Sequence, residues 1–424
     1  MKILWVSHLV PYPPKAGVLE RAYHLVKELS RHHEIHLLCL IQKSLLAPYY
    51  PTVDGGLEEA RRALGAFCAS VEFYDIPKEN RKLGKPRLAV ESLFRLHPYT
   101  LNWLKSPEFS QALSKALDTV DFDVVHFDTI SLAPFVELCA GVPYVFDHHN
   151  IESHMLLRRA HNETQPLKKA YFFQEGIRLR HYERRYCQQA SLNITCSQVD
   201  ARHLRGLSPA IKTAVIPNGV DVGYFSPDRP HKGGSPRLLF LGTLDWYPNR
   251  RAVEFIAEQI WPLLKERIPE VRIDIIGANP PQQILALSRS DPDFVVHGFV
   301  DDIRSYLNNA AVFLCPIADG GGTKLKILDA LAMELPIVSH PLACEGINVT
   351  DGIDVLFAQR APEYVEAITR LLNNPAMAAS LGKAGRQLIQ TQYDFRQIGK
   401  KLSMAYTEIS NSSDKSAPCV ASQA

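Results

Sequence analysis

The sequence carries almost no surplus of charge: 47 Lys and Arg stand against 45 Asp and Glu, a formal net charge of +2 over 424 residues. Without a basic field, nucleic-acid binding has no global electrostatic support. Long apolar runs are also missing. Runs such as Ala310-Ala-Val-Phe-Leu-Cys-Pro-Ile-Ala318 fall far short of the roughly 20 residues that a membrane span needs. The eight cysteines, at 39, 68, 139, 187, 196, 315, 344 and 419, form no CxxC pair and no metal-ligand spacing. Most lie in apolar stretches, which predicts buried structural thiols in a reducing cytosol. Met1-Lys-Ile-Leu-Trp-Val-Ser7 is too short an apolar segment for a signal peptide and reads as a buried first strand.

What is present is ordinary for a soluble globular protein: 46% hydrophobic and 22% charged residues, in a chain long enough for two or three domains of about 150 residues each. In the first half, short β-rich runs without polar alternation occur at Ile3–Ser7, Ile35–Leu40, Val71–Tyr74, Val124–Phe127, Tyr144–Asp147 and Leu192–Thr195. Such runs are expected of strands covered on both faces in a parallel sheet. Helical patterns, including Leu19–Ser30 and Ser131–Ala140, fall among them. A second series opens at Arg237, with strands expected at Leu238–Leu241, Arg272–Ile276, Phe294–Val296, Val312–Cys315 and Ile337–Ser339. Helices are expected there at Asn249–Lys265 and Lys324–Glu334. Separating the series, Ile216-Pro-Asn-Gly-Val-Asp221 is followed by Pro227, Pro230, Gly233, Gly234 and Pro236, a density of turn formers that marks a linker. The fold class is therefore α/β, with two tandem Rossmann-like domains whose ligand sites face a shared cleft.

The strongest local signal is Asp319-Gly-Gly-Gly-Thr-Lys-Leu-Lys-Ile-Leu-Asp329. A buried strand ends near Cys315, three glycines follow, and a helix is expected to open at about Thr323. Glycines let backbone approach a ligand closely, and a helix start favours an anion. Lys324 and Lys326 oppose the helix dipole in the first turn, a conflict that a bound phosphate would relieve. The bland alternative is a glycine loop with two solvated lysines, Lys326 pairing with Asp329 at i,i+3.

The segment GGGTKLKILDALAMELPIV resembles the nucleotide-sugar site of the retaining glycosyltransferases with the GT-B fold, family 4. Val215–Asp221 resembles that family's interdomain segment, Phe240–Leu244 the first glycine turn of its donor domain, and His297–Asp302 the loop beside the nucleotide base. Pro11–Gly17, followed by Arg21, resembles the glycine loop of its acceptor domain. The resemblance implies an acceptor domain over residues 1–217, a linker over 218–236 and a nucleotide-sugar domain over 237–394. A C-terminal helix over 395–410 is expected to cross back to the first domain, ahead of a disordered tail over 411–424. It also implies transfer of a sugar to a glycan or lipid-linked acceptor in cell-surface polysaccharide or glycoconjugate synthesis. Donor contacts are implied for Gly17, Gly242, Thr243, Arg250, Gly298, Phe299, Val300, Gly321, Gly322, Thr323, Lys324 and Asp329. Lys326 is implied to stabilise the leaving diphosphate, with Lys324 or Arg250 assisting. The family's acidic pair, eight positions apart, falls on Gly321 and Asp329, and its usual basic pair falls on Thr243 and Pro248.

Asp147-His-His-Asn-Ile-Glu152 follows an expected strand directly, which sets polar groups at a sheet edge. His149 matches the family's histidine near the donor sugar and acceptor; His148 competes with it, and a helix-capping histidine is the bland reading. From Arg158 to Arg185, eight Lys or Arg face three Glu, with Tyr171, Phe172, Phe173, Tyr182 and Tyr186 interleaved. The stretch is either a solvated helix face or a peripheral membrane contact. No metal motif is present, so neither metal nor cofactor is expected, and the expected location is the cytoplasm or the inner membrane face. Competing readings are an epimerase or hydrolase of similar shape and a non-catalytic sugar-nucleotide-binding subunit. An NAD oxidoreductase is disfavoured because no G-x-G-x-x-G follows the first strand.

Overall fold

A computed structural model of the chain describes residues 1–15, 17–79, 84–93, 97–139, 141–228 and 235–414. Ala16 of the expected acceptor loop, linker residues Pro230, Gly233 and Gly234, and residues 415–424 with Cys419 lie outside the described residues. Contacts divide the chain into two units. Unit 1 comprises Met1–Pro217 with the C-terminal segment from Ile398, and unit 2 comprises Asn218–Gln397.

Unit 1 is built on β1 (Lys2–Ser7), β2 (Glu34–Ile41), β3 (Ser70–Asp75), β4 (Val124–Phe127), β5 (Tyr144–His148), β6 (Leu192–Thr195) and β7 (Thr213–Val215). The seven strands form one parallel sheet in the order β3-β2-β1-β4-β5-β6-β7. Ile3, Leu4, Trp5 and Val6 of β1 are all 0% exposed, as the unbroken apolar run requires of a strand covered on both faces. From Ile398 onward the Phe395–Asp414 helix belongs to this unit. Its Ser403 hydroxyl meets His33 Nε2 at 2.6 Å, and its Tyr406 hydroxyl meets His126 of β4.

Unit 2 contains β8 (Arg237–Leu241), β9 (Arg272–Ile276), β10 (Phe294–Gly298), β11 (Val312–Cys315), β12 (Ile337–Ser339) and β13 (Leu356–Phe357). These also run parallel, in the order β10-β9-β8-β11-β12-β13. Both sheets reverse their winding at one point, β1 beside β4 in unit 1 and β8 beside β11 in unit 2. Connections leave in opposite directions there and open a crevice beyond the carboxyl ends of the strands.

Several local expectations are corrected. The Ser131–Ala140 helix is a 3-10 segment, Ile130–Leu138, with Pro134 inside it. Asn249–Lys265 is broken into Tyr247–Phe255, a π-turn over Ile256–Ile260, and Trp261–Arg267. Pro262 follows the π-turn and has no N–H for the α-helical ladder, which shifts the local hydrogen bonding. The helix after the glycine loop spans Leu325–Ala332, so Lys324 is its N-cap and Lys326 is the lysine in its first turn. Cys39, Cys68, Cys139, Cys187, Cys196, Cys315 and Cys344 are buried thiols that form no disulfide. No described helix is long and apolar enough to cross a membrane.

Candidate functional site

In unit 2 the loops that follow β8 and β11 meet at the point where the winding reverses. Gly320 and Gly322 take positive φ, 92° and 71°, a conformation that only glycine adopts without cost. The chain is thereby carried around a tight turn from β11 into the Leu325–Ala332 helix. Lys324 folds back on this loop, its Nζ donating to the carbonyls of Gly321 and Gly322 at 2.8 Å each. Lys326 points the other way. Its Nζ lies 5.2 Å from the centroid of the Phe240 ring and donates to Asn249 Oδ1 at 2.8 Å, while Asn249 Nδ2 donates to the Thr243 carbonyl at 2.9 Å. Gly242 makes room for this chain of contacts. A Cβ there would sit 2.4 Å from Lys326 Nζ and 2.7 Å from the Asn249 amide, so any side chain would displace the lysine.

Burial pushes the Lys326 ammonium down to about 8. Burial likewise raises the Asp329 carboxyl, against the attraction of Lys326. The two do not bond each other in the manner of the solvated-pair reading: Lys326 is held by Asn249, and Asp329 Oδ1 is buried without a partner. Thr323 Oγ1 is buried and unpartnered as well. A cation with incomplete solvation, a hydroxyl and a carboxylate oxygen thus stand together with unused hydrogen-bonding capacity, which is costly unless a polar ligand supplies the partners.

The remaining unit 2 candidates are dispersed. Gly298 ends β10, and its carbonyl accepts from the Gly277 N–H at 2.8 Å. Phe299 is 57% exposed beyond it, and Val300 packs partly into the core. Arg250 is exposed and lines a shallow groove with Arg251, Glu254 and Pro281. The residue that the Tyr247–Phe255 helix contributes to Lys326 is Asn249, not Arg250.

Unit 1 has its own cluster at its reversal point. His8 follows β1 and Asp128 follows β4. Asp128 Oδ1 accepts from the His8 backbone N–H at 2.9 Å and lies 2.8 Å from His8 Nδ1, while its Oδ2 accepts from the Ser7 hydroxyl. Burial alone would lower His8, but the Asp128 charge and hydrogen bond outweigh it and raise the imidazole. The His149 ring stands 6.1 Å from that of His8, with Nε2 buried and unpartnered, and burial holds it down to about 4. His148 goes elsewhere: it is 1% exposed, with Nε2 3.2 Å from Asn193 Oδ1 and 3.7 Å from the Cys187 sulfur. Of the two histidines, His149 joins the His8–Asp128 cluster. Gly17 opens the Gly17–Leu29 helix of this unit, and Arg21 on that helix is an internal anchor. Its guanidinium donates to both oxygens of Asp147 and to the carbonyls of Ile216 and Pro217.

Residues 16–224 match the family described as Glycosyltransferase Family 4, and residues 235–374 match that described as Glycosyl transferases group 1. The chain belongs to the family 4 glycosyltransferases. Among curated relatives, the GDP-mannose-dependent alpha-(1-6)-phosphatidylinositol monomannoside mannosyltransferase of Mycolicibacterium smegmatis is 24% identical over 225 residues, 48% of this chain and 58% of that protein. The phosphatidyl-myo-inositol mannosyltransferase of the same organism is 26% identical over 212 residues, 47% of this chain and 53% of that protein. The chain thus spans about half the length of the curated relatives it matches. The fold matches sucrose-phosphate synthase of Thermosynechococcus elongatus with a TM-score of 0.69 at 16% identity, covering 97% of this chain and all of that one. Anabaena Alr3699/HepE in complex with UDP gives a TM-score of 0.63 at 14% identity, covering 96% of this chain and 100% of that one. Both support the GT-B fold.

In this glycosyltransferase, sequence reasoning missed His8, Asp128 and Asn249. The first two were legible only as polar residues just past apolar runs, and their pairing depends on β1 lying beside β4. Among the described residues, no group of three or more His, Cys, Asp or Glu is placed to hold a metal ion.

Proposed function

We propose that the chain transfers a sugar, with retention, from a nucleotide-diphosphate sugar to a glycan or lipid-linked acceptor, without a bound metal, in the synthesis of a surface polysaccharide or glycoconjugate. The observation that carries this reading is the set of unmet groups behind the glycine loop: partly desolvated Lys326, the Thr323 hydroxyl and the Asp329 carboxylate. A nucleotide sugar supplies what each lacks. Phosphate oxygens satisfy Lys326 and Thr323, and ribose hydroxyls donate to Asp329. In the reaction the bond from the anomeric carbon to the diphosphate oxygen breaks, and a bond to the acceptor oxygen forms on the same face. The acceptor proton leaves with the diphosphate. Lys326 stabilises the charge that gathers on the β-phosphate, and His149 orients the reacting sugar and acceptor.

The test is transfer itself, measured with full-length protein in the presence of EDTA. GDP-mannose comes first in the donor panel because named relatives depend on it, and UDP-glucose second because it is bound in a structural neighbour. Product with retained anomeric configuration is expected. Release of sugar to water alone would favour a hydrolase, and donor binding without turnover a non-catalytic subunit.

Two substitutions probe the assigned roles. A hydrogen bond to a charged group contributes roughly 1.5–3 kcal/mol, so Asp329→Asn should weaken nucleotide binding by about tenfold or more. Unchanged calorimetric affinity for the free nucleotide would remove Asp329 from the ribose site. His149→Ala should lower kcat by about 10–100-fold while leaving free-nucleotide affinity intact, the signature of a contact made in the transfer step. An equal loss in nucleotide affinity would count against that role.

A further inference from the structure

Unit 2 holds a polar cavity of about 890 Å³ at the edge of its sheet opposite the glycine loop, a volume within the range of small-molecule sites. Arg237 and Arg272, the first residues of β8 and β9, line it, as does Ala311 just ahead of β11. Among the described residues, none from the glycine loop or the Tyr247–Phe255 helix does.

One wall runs against the pattern of its strand. Asp274 of β9 is 6% exposed between Ile273 at 1% and Ile275 at 0%. From β8, Arg237 Nη1 donates to its Oδ2 at 3.3 Å, and from β10, His297 Nε2 lies 2.7 Å from its Oδ1. His297 sits where the pairing of β10 with β9 slips, between Val296 and Gly298, and such a bulge re-aims a side chain. The Tyr306 hydroxyl lies 3.4 Å from His297 Nδ1. A buried ion pair stabilises a fold no better than well-packed apolar residues, so packing gives no reason for this polar chain.

The rim has cationic capacity to spare. Arg267 ends the Trp261–Arg267 helix, is exposed, and has no acidic partner among the described residues. Arg272 commits its Nε to Asp293 at 3.0 Å, and Arg237 commits one Nη to Asp274. Each keeps most of its five N–H donors. Guanidinium forks suit phosphate. The Tyr306 hydroxyl and the amides of Asn309 and Asn373 line the same space and suit sugar hydroxyls. Tyr306 sets its ring edge-on to His297, centroids 4.8 Å apart. These two are the aromatic residues of the described wall, so a nucleobase finds no free stacking surface.

We propose that this cavity binds a phosphorylated sugar, its phosphate held by Arg237, Arg267 and Arg272 and its hydroxyls by Tyr306 and the two asparagines. The five residues of β8, roughly 16 Å of strand, separate it from Gly242 and the Lys326 site. The inference does not rest on the transfer reaction, and binding alone tests it.

The test is calorimetry on the full chain with glucose, mannose and galactose monophosphates, the free hexoses and inorganic phosphate. At least one hexose phosphate should bind about tenfold or more tighter than phosphate or its free hexose. Lys326→Ala should leave that affinity unchanged. Arg267→Glu should weaken it by about tenfold or more, the usual loss of a hydrogen bond to a charged group. Arg237→Gln should do the same, with its melt recorded because the change uncouples Asp274. Arg267→Glu breaks no contact of the fold and decides the matter if Arg237→Gln unfolds. No binding of any hexose phosphate, equal affinity for inorganic phosphate, or full affinity in Arg267→Glu would each overturn the proposal. Loss of binding in Lys326→Ala would also overturn it and return the ligand to the glycine-loop site.

Discussion

Replacing Lys326 with Ala should lower turnover by about 10²–10³, the usual loss when one preorganised contact to a developing oxyanion is removed. Three observations set the size of the effect. The ammonium is held by Asn249 and over Phe240 before any donor arrives, so no reorganisation is needed when charge appears on the departing diphosphate. It is partly desolvated, which strengthens its field. Arg250, which the resemblance implied as an assisting cation, is exposed along a separate groove. The same lysine gives a pH dependence with a definite sign. Held down to about 8 in the free protein, it is charged below that pH and loses its proton as pH rises through it. Affinity for the nucleoside diphosphate should therefore fall above about pH 8, and Lys326→Arg should keep affinity to higher pH because guanidinium does not titrate there. Near-normal turnover in Lys326→Ala, with transfer abolished in Arg250→Ala, would assign the phosphate charge to the other loop.

Much of the fold was legible because both sheets are buried on both faces and their strands read as apolar runs. The two strands not anticipated, Thr213–Val215 and Leu356–Phe357, are short edge strands. They have too few residues to form a run, and Thr213–Val215 is only half-buried. The glycine loop was legible because its composition is local. The exact start of the following helix was not, since Lys324 has a helix-compatible side chain but an extended backbone, φ −84° and ψ 98°. Partnerships were hidden for a different reason. Lys326 and Asn249 are 77 residues apart, and His8 and Asp128 are 120 apart. Each pair is assembled by strand order: β8 lies beside β11, and β1 beside β4. No periodicity along the chain encodes that adjacency, although the sheet topology makes it necessary. The basic stretch failed for a third reason. Two of its three acids, Glu175 and Glu183, turn inward, so counting charges understated the positive character of the surface.

Arg21 separates a structural from a ligand-binding reading most sharply. The resemblance put it just after the expected glycine loop of an acceptor domain. In the structure it is 1% exposed and already committed. Nε donates to Asp147 Oδ2 at 3.0 Å and Nη2 to Oδ1 at 2.9 Å, while the carbonyls of Ile216 and Pro217 accept at 3.0 and 2.9 Å. One side chain therefore ties the Gly17–Leu29 helix to the end of β5 and to Ile216 and Pro217, where the first segment of unit 1 ends. Arg21→Met preserves most of the apolar volume but strands Asp147 as a buried, uncompensated carboxylate. Breaking such a pair costs roughly 3–5 kcal/mol, which for a unit of this size lowers its melting temperature by roughly 10 °C. Adding Asp147→Leu should recover part of the loss, because the orphaned charge is then removed along with its partner. A ligand-binding arginine would behave in the opposite way: Arg21→Met would lower activity, leave the melt unchanged, and gain nothing from Asp147→Leu.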